Sequence, residues 1–342
     1  MRGHRYSAPT TGPSSWCVTG YPTKEDGQQG GGGMKEATVI SEKDKDAPQS
    51  LEARLADTLR TAGCEGWLHA LDIDSGQAVG LHPAHVVVAA SVFKVGVALE
   101  LYRQAAVEGL VLTDHVHITD DNRTAGPTGL SNGHDPATLS LRDLTSLMLS
   151  ISDNTATDAL IARVGLERIN ATVRALGLQH TVLMSDLRGL IGSIIEDAAV
   201  SSLDALWSLS EEERDVRLAR CRALQAARAT RTTPHDMTRL LRGIWRDEAA
   251  PVAACAEVRR LIGQQASYRL AVGFLDGITV QAKSGSLMGR IRNEIGVVTY
   301  PDGRRYAVAV FTRSHHGASR QPAIDSAIGA VAALSIEQIR QA

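Results

Sequence analysis

The sequence predicts an α/β (α+β) fold: an antiparallel sheet built from both chain ends with flanking helices, plus an inserted all-helical domain. Three observations predict it. β-branched and alternating runs cluster at 67–82 and again at 278–312, apolar residues recur at helical spacing between them, and Pro301-Asp302-Gly303 reads as the turn of a hairpin.

The elements follow in order. Residues 1–50 are rich in Gly, Ser, Thr and Pro and then charged (Glu42, Lys43, Asp44, Lys45, Asp46), which is the composition of a disordered tail. They hold no basic start followed by an apolar stretch, so no export signal is read and a cytoplasmic location is expected. The run Gly30 to Gly33 directly before Met34 reads as a translated ribosome-binding site, which would make Met34 the start. Leu51, Leu55 and Leu59 predict a helix over 51–63. Trp67 to Asp74 alternates, Ser75-Gly76 turns, and Gln77 to His82 runs back as a hairpin. Val92, Val95, Val97, Ala98, Leu99, Leu101 and Tyr102 give one long helix over 91–109 its apolar face, and 121–138 reads as loop. Helical patterns return at about 141–151, 155–164, 166–176 and 234–246, and residues 196–230, acidic and then Arg/Ala-rich, look like an extra helical excursion. Strands are predicted at 278–283, 294–300 and 306–312, with a closing helix over 321–340. The expected division is a sheet domain (51–90 with 271–342) and a helical domain (91–270) carrying the excursion.

Composition excludes several classes. No apolar run reaches 18 residues, so no membrane span is predicted. A net charge of −2 is no footprint for nucleic acid, and 4% aromatics are too few for stacking platforms. Cys17, Cys64, Cys221 and Cys255 are widely spaced with no C-x-x-C pair, so neither a zinc site nor a disulfide framework is read. No cofactor is expected. His115-Val116-His117 alternates as a strand and sets two imidazoles on one face, but no third metal ligand accompanies them. His315-His316 reads as a solvated loop after the final strand.

The informative number is the lysine count. Beyond residue 46 there are 28 arginines and only two lysines, Lys94 and Lys283. Arginine does not lose its proton at working pH, whereas a desolvated lysine can, so these two exceptions suggest chemistry that needs an amine. Lys94 lies in Ser91-Val92-Phe93-Lys94, a spacing that puts a hydroxyl and an amine on one helix face. Buried, the amine could accept the serine proton, and the free N–H groups of a helix start could stabilise an oxyanion. Read alone, Ser91 is better taken as a helix cap and Lys94 as a solvated first-turn residue. Lys283 lies in Lys283-Ser284-Gly285-Ser286 at the end of a predicted strand, able to meet a carboxylate beside a carbonyl or simply to close the strand in a polar turn. Ser152-Asp153-Asn154 sits in the break between two helices, where it offers a proton relay (Ser152) and an amide contact (Asn154), or only a cap.

Taken together and in this order, S-x-x-K, S-D-N and K-[S/T]-G resemble the penicillin-recognising serine hydrolases, and specifically the class A β-lactamase branch. Ala89-Ala90, Asn154-Thr155-Ala156, Thr232-Thr233-Pro234 and Arg292 agree with that likeness, which covers about residues 50–340. The resemblance implies a β-lactamase/transpeptidase-like fold and an acyl-enzyme mechanism on a β-lactam or another carboxylate-bearing amide or ester. Ser91 would be the nucleophile, Lys94 its base, Ser152 the proton relay and Lys283 the positive field. The N–H groups of Ser91 and Ser286 would form the oxyanion hole. Asn154, Ser284, Gly285 and Arg292 would hold the substrate. The family's E-x-x-L-N deacylation loop has no counterpart here; Glu196 and Asp186 are the nearest carboxylates. Two other readings stand beside hydrolysis: a cytoplasmic biosynthetic esterase or transacylase on the same scaffold, and a catalytically silent binder of a small ligand.

Overall fold

The computed structural model describes residues 49–266 and 269–342; the tail and start-site expectations fall on residues outside these. Helix α1 (Leu51–Thr61) opens the described chain, capped by Ser50, which accepts from Ala53 N, and buries Leu55 and Leu59. Strands β1 (Cys64–Asp72) and β2 (Ala78–Leu81) form the expected hairpin. At the other end of the chain, β7 (Thr279–Leu287), β8 (Ile291–Thr299) and β9 (Arg305–Ser314) complete a five-stranded antiparallel sheet in the order β2-β1-β9-β8-β7. Strand β9, made by the last strand residues of the chain, sits against β1, made by the first. The sheet is therefore built from both ends of the sequence.

Helix α11 (Pro322–Gln341) covers one face, packing Ile324, Ile328, Val331 and Ile336 with α1 and with Val298, Val308 and Val310. The other face carries Ile295, Val297, Ala307 and Phe311 into the helical region. That region comprises α2 (Lys94–Val107), α3 (Leu141–Ser150), α4 (Asn154–Val164), α5 (Leu166–Ala175), α6 (Leu187–Ala198), α7 (Leu203–Trp207), α8 (Glu211–Leu218), α9 (Pro234–Trp245) and α10 (Val252–Ile262). Two short ribbons join it, β3 (Val87–Val88) with β6 (Arg231–Thr232), and β4 (His115–Ile118) with β5 (Ala137–Ser140). Sheet and helices share this apolar core, and residues 49–342 form one compact unit.

Two local findings differ from the sequence expectation, and a third adds to it. The single helix expected from Ser91 begins as a 3-10 turn over Ala90–Phe93 and becomes α-helical only at Lys94. Strand β7 does not stop at Lys283 but runs through Ser284, Gly285 and Ser286 to Leu287. The excursion at 196–230 has a small core of its own, in which Ile194, Leu206, Leu218, Cys221 and Leu224 pack with Leu287 and Ile291 beside the β7–β8 turn.

Among the described residues no helix is long and apolar enough to cross a membrane. None of their His, Cys, Asp and Glu side chains form a group of three or more suited to a metal ion. His117 instead bonds Thr138 Oγ1 across the β4–β5 ribbon.

Candidate active site

Three segments meet at the open edge of the sheet. The first is the turn leading into α2. Ala90 has φ +47°, a conformation a non-glycine residue holds only when its surroundings impose it, and it delivers Ser91 at the start of the 3-10 turn. Lys94 follows, fully buried.

The second segment is the bend between α3 and α4. Ser152 has φ +61°. It is held there by Asp153, whose Oδ1 accepts from Ala156 N at 2.9 Å as the cap of α4 and whose Oδ2 accepts from Leu130 N at 2.6 Å. Lys94 Nζ donates to Ser152 O (2.7 Å) and Asn154 Oδ1 (3.0 Å) and lies 3.2 Å from Ser152 Oγ. Asn154 Nδ2 donates to Ala125 O at 2.9 Å, so both ends of that amide are engaged. Burial pushes the Lys94 amine down to about 7, against the pull of Asp153 and Asp158. A neutral amine has two N–H donors and one lone pair. It can therefore donate to Ser152 O and Asn154 Oδ1 while accepting from Ser152 Oγ–H.

The third segment is β7, the sheet's edge strand. Lys283 is fully buried and donates to Ser284 O (2.9 Å) and Gln265 Oε1 (3.3 Å). Burial lowers its amine well below the usual lysine range, with Lys94 and Arg269 adding to the effect. Ser284 N donates to Gln265 Oε1 at 2.5 Å, on the side of the strand away from β8. Backbone N–H groups alternate sides along a strand, so Ser286 N faces the same open edge. Gly285 makes the approach of this strand to Ser91 possible. A Cβ there would stand 3.0 Å from Ser91 N and 3.2 Å from Ala89 O, both backbone atoms.

Several groups at this edge carry no sequence motif. Arg269 lies across the strand, donating to Gly285 O (3.0 Å), Asn293 O (2.8 Å) and Ser286 Oγ (2.6 Å). Glu294, buried, accepts from Gln265 Nε2 (3.1 Å) and from Leu270 N; burial raises its carboxyl to about 7, against the pull of Arg269 and Lys283. Arg292, read as a substrate anchor, gives Nε and Nη2 to Asp325 of α11 (2.9 and 2.6 Å) and Nη1 to Ser319 O (3.3 Å). Arg269 Nε reaches the same carboxylate at 2.9 Å. Two guanidiniums sharing one carboxylate leave an excess of positive charge beside Ser284 and Ser286.

The two carboxylates read as possible deacylating groups sit differently. Glu196 is 71% exposed in its side chain and paired with Arg222. Asp186 caps α6, with Oδ1 accepting from Gly189 N at 2.8 Å. It lies close enough to Asp158 for its charge to raise that buried carboxyl, and Asp158 in turn acts on Lys94. Asp158 is fully occupied: Oδ1 accepts from Leu187 N (2.7 Å), and Oδ2 from Thr124 Oγ1 (2.7 Å) and Arg188 N (2.9 Å).

A sheet made of both chain ends, a helical region over one face, and a serine, two buried lysines and an edge strand between them are the arrangement of the β-lactamase enzyme family. The chain belongs to it: the family model described as the beta-lactamase enzyme family matches residues 50–339. Its relatives include the beta-lactamase regulatory protein BlaB of Streptomyces cacaoi, 30% identical over 312 residues, covering 86% of this chain and 98% of that one. The β-lactamase of Sphaerobacter thermophilus has the same fold, with a TM-score of 0.67 at 24% identity, covering 85% of this chain and 97% of that one. So does the class A β-lactamase of Mycobacterium abscessus, with a TM-score of 0.68 at 18% identity over 85% of this chain and 100% of that one.

Proposed function

We propose that the chain is a serine acyl-transfer enzyme whose substrate is a β-lactam or another amide or ester carrying a carboxylate. The observation that carries this reading is Lys94, fully buried, one turn from Ser91, with its amine brought down to about 7 and set against Ser152 and Asn154. In the reaction Ser91 Oγ attacks the carbonyl carbon as its proton passes to Lys94 Nζ. The resulting oxyanion lies against the N–H groups of Ser91 and Ser286, where fixed donors stabilise developing charge. Collapse breaks the carbonyl–nitrogen bond. Ser152 Oγ–H supplies the leaving nitrogen with its proton and is refilled from Lys94, 3.2 Å away. Arg269 supplies the positive charge and Ser284 the hydroxyl that a substrate carboxylate needs, and Lys283, its amine lowered by burial, stands behind them as a hydrogen-bond donor. A cytoplasmic location goes with this proposal.

The relative named as a β-lactamase regulatory protein favours a second reading. In it the same cleft is occupied or acylated by its ligand, and turnover is not the output. Intact-protein mass followed over time with benzylpenicillin separates the two, with Ser91→Ala alongside. A wild-type adduct that forms and then disappears supports the enzyme. An adduct that persists supports a receptor or a transacylase awaiting an amine or alcohol acceptor. No adduct on the wild type refutes penicillin as a substrate and favours reversible binding in the cleft.

A further inference from the structure

A cavity of about 760 Å³ opens behind the turn that carries Ser91, on the sheet face that elsewhere packs against helices. Register places Trp67 opposite Phe311 on β1 and β9, and Asn293 and Ile291 opposite Phe311 and Arg313 on β8 and β9, so these side chains share that face. The segment 82–88 covers this end of the sheet and leaves the space unfilled. One wall is aromatic: the ring of His85 lies parallel to that of Trp67, with centroids 4.9 Å apart and planes 9° apart. Arg313 is exposed at the rim and makes no ion pair within 4 Å among the described residues. Arg60 also lines the space but is paired with Asp57. Glu65, opposite Arg313 in register, is the one carboxylate in the lining, so cationic and imidazole groups outnumber it.

The back wall connects to the nucleophile. Val87 and Val88 line the cavity, and Asn293, which also lines it, donates Nδ2 to Val88 O (2.9 Å) and Ala89 O (3.2 Å). Its Oδ1 accepts from Thr312 N at 3.1 Å, which fixes the amide. The next residues are Ala90, at positive φ, and Ser91. A molecule seated here touches the groups that hold the nucleophile turn without entering the edge where substrate binds.

We infer that this cavity is an effector site for a small planar aromatic anion, whose ring lies against the Trp67–His85 wall and whose charge meets Arg313. Stacking on an aromatic face and a free guanidinium at its margin are the chemistry that selects such a molecule. Occupancy clamps Val88 and Asn293 and so stiffens residues 87–91.

The probe for the test is 1-anilinonaphthalene-8-sulfonate, titrated by its fluorescence into the full chain and into Arg313→Glu and His85→Ala. Both positions are exposed, so neither substitution threatens the fold. Saturable one-site binding is expected, weakened ~10-fold or more in each variant, a factor of ten corresponding to about 1.4 kcal/mol. The uncharged N-phenyl-1-naphthylamine should lose affinity only in His85→Ala. Equal binding of the sulfonate to all three proteins overturns the site. Hydrogen exchange reads the coupling: the probe should slow exchange of amides 87–91 in the wild type and not in Arg313→Glu. Binding with no change at 87–91 overturns the effector role. Neither readout depends on acylation, so failure of the proposed enzyme activity leaves the test intact.

Discussion

An ordinary lysine near 10.4 is neutral at pH 7 in only about 0.04% of molecules, whereas one at about 7 is neutral in roughly half, a gain of ~10³ in available base. That shift is directly measurable here because the chain holds so few lysines. Only Lys94 and Lys283 lie beyond residue 46, so of the six lysines labelled with ¹³C at Cε two report on residues 49–342, assigned by Lys94→Met and Lys283→Met. We expect the Lys94 signal to titrate with a midpoint near 7, and the rate of covalent adduct formation to follow it. The rate should rise ~10-fold per pH unit below the midpoint and level off above it, as for a base that must be unprotonated in the free enzyme. Lys94→Arg should fall ~10²–10⁴-fold, because a guanidinium keeps its proton. A Lys94 midpoint above 9, or an acylation rate flat from pH 5 to 9, refutes Lys94 as the base.

Two further outcomes follow from the geometry. Gly285→Ala puts a methyl 3.0 Å from Ser91 N, where only backbone can yield; acylation should drop about 10²-fold while the urea midpoint falls modestly, and unchanged acylation would mean the strand does not set the nucleophile's position. Stability against pH should pass through a minimum near neutrality. Glu294, held up to about 7 from an ordinary 4.5, keeps a proton in the folded chain that the unfolded chain releases, so its contribution is full below 4.5 and lost as pH rises through 7. Lys94 shows the reverse linkage, binding fewer protons folded than unfolded between about 7 and 10.5, so stability recovers over that window. Each group bounds the slope at ~1.4 kcal/mol per pH unit, and urea unfolding from pH 4 to 10 reads both limbs. Glu294→Gln should flatten the acid limb, and a monotonic wild-type curve would contradict the pair.

What the sequence disclosed and what it hid have separate physical causes. The sheet's origin at both chain ends was legible because β1, β8 and β9 are period-2 or β-branched runs. The length of β7 was not, since Ser284-Gly285-Ser286 has low strand propensity and extends only because β8 pairs with it residue for residue. The turn that follows was equally masked: Met288 and Gly289 both take positive φ, and methionine is not a residue that announces such a turn. Two lysines among many arginines exposed Lys94 and Lys283, yet nothing local marked their environment. Gln265, Arg269 and Asn293 reach the site across 16 to 205 residues of chain, through contacts that only the folded register creates. Arg292 was visible as a residue, but its pairing with Asp325 of α11 was not.

If the proposed acyl-enzyme forms, its hydrolysis needs a carboxylate with an oxygen left to polarise water. Asp153 and Asp158 spend both oxygens on backbone N–H groups or a hydroxyl, and Glu294 is turned to Leu270 and Gln265. Glu196 faces solvent against Arg222. Asp186 uses Oδ1 to cap α6, and its Oδ2 makes no hydrogen bond among the described residues, while its charge is felt by Asp158 beside the Lys94 pocket. Of the two carboxylates nearest the position of that loop, Asp186 is therefore the one the proposal assigns to water activation. Asp186→Asn preserves the cap, because asparagine is an equally good N-terminal cap, and should lengthen the life of any penicillin adduct by ~10²-fold or more. Glu196→Gln should leave it unchanged. Adduct lifetimes from intact-protein mass decide the matter, since an adduct that outlasts the assay in the wild type and is untouched by either substitution would show that no carboxylate of this chain activates water.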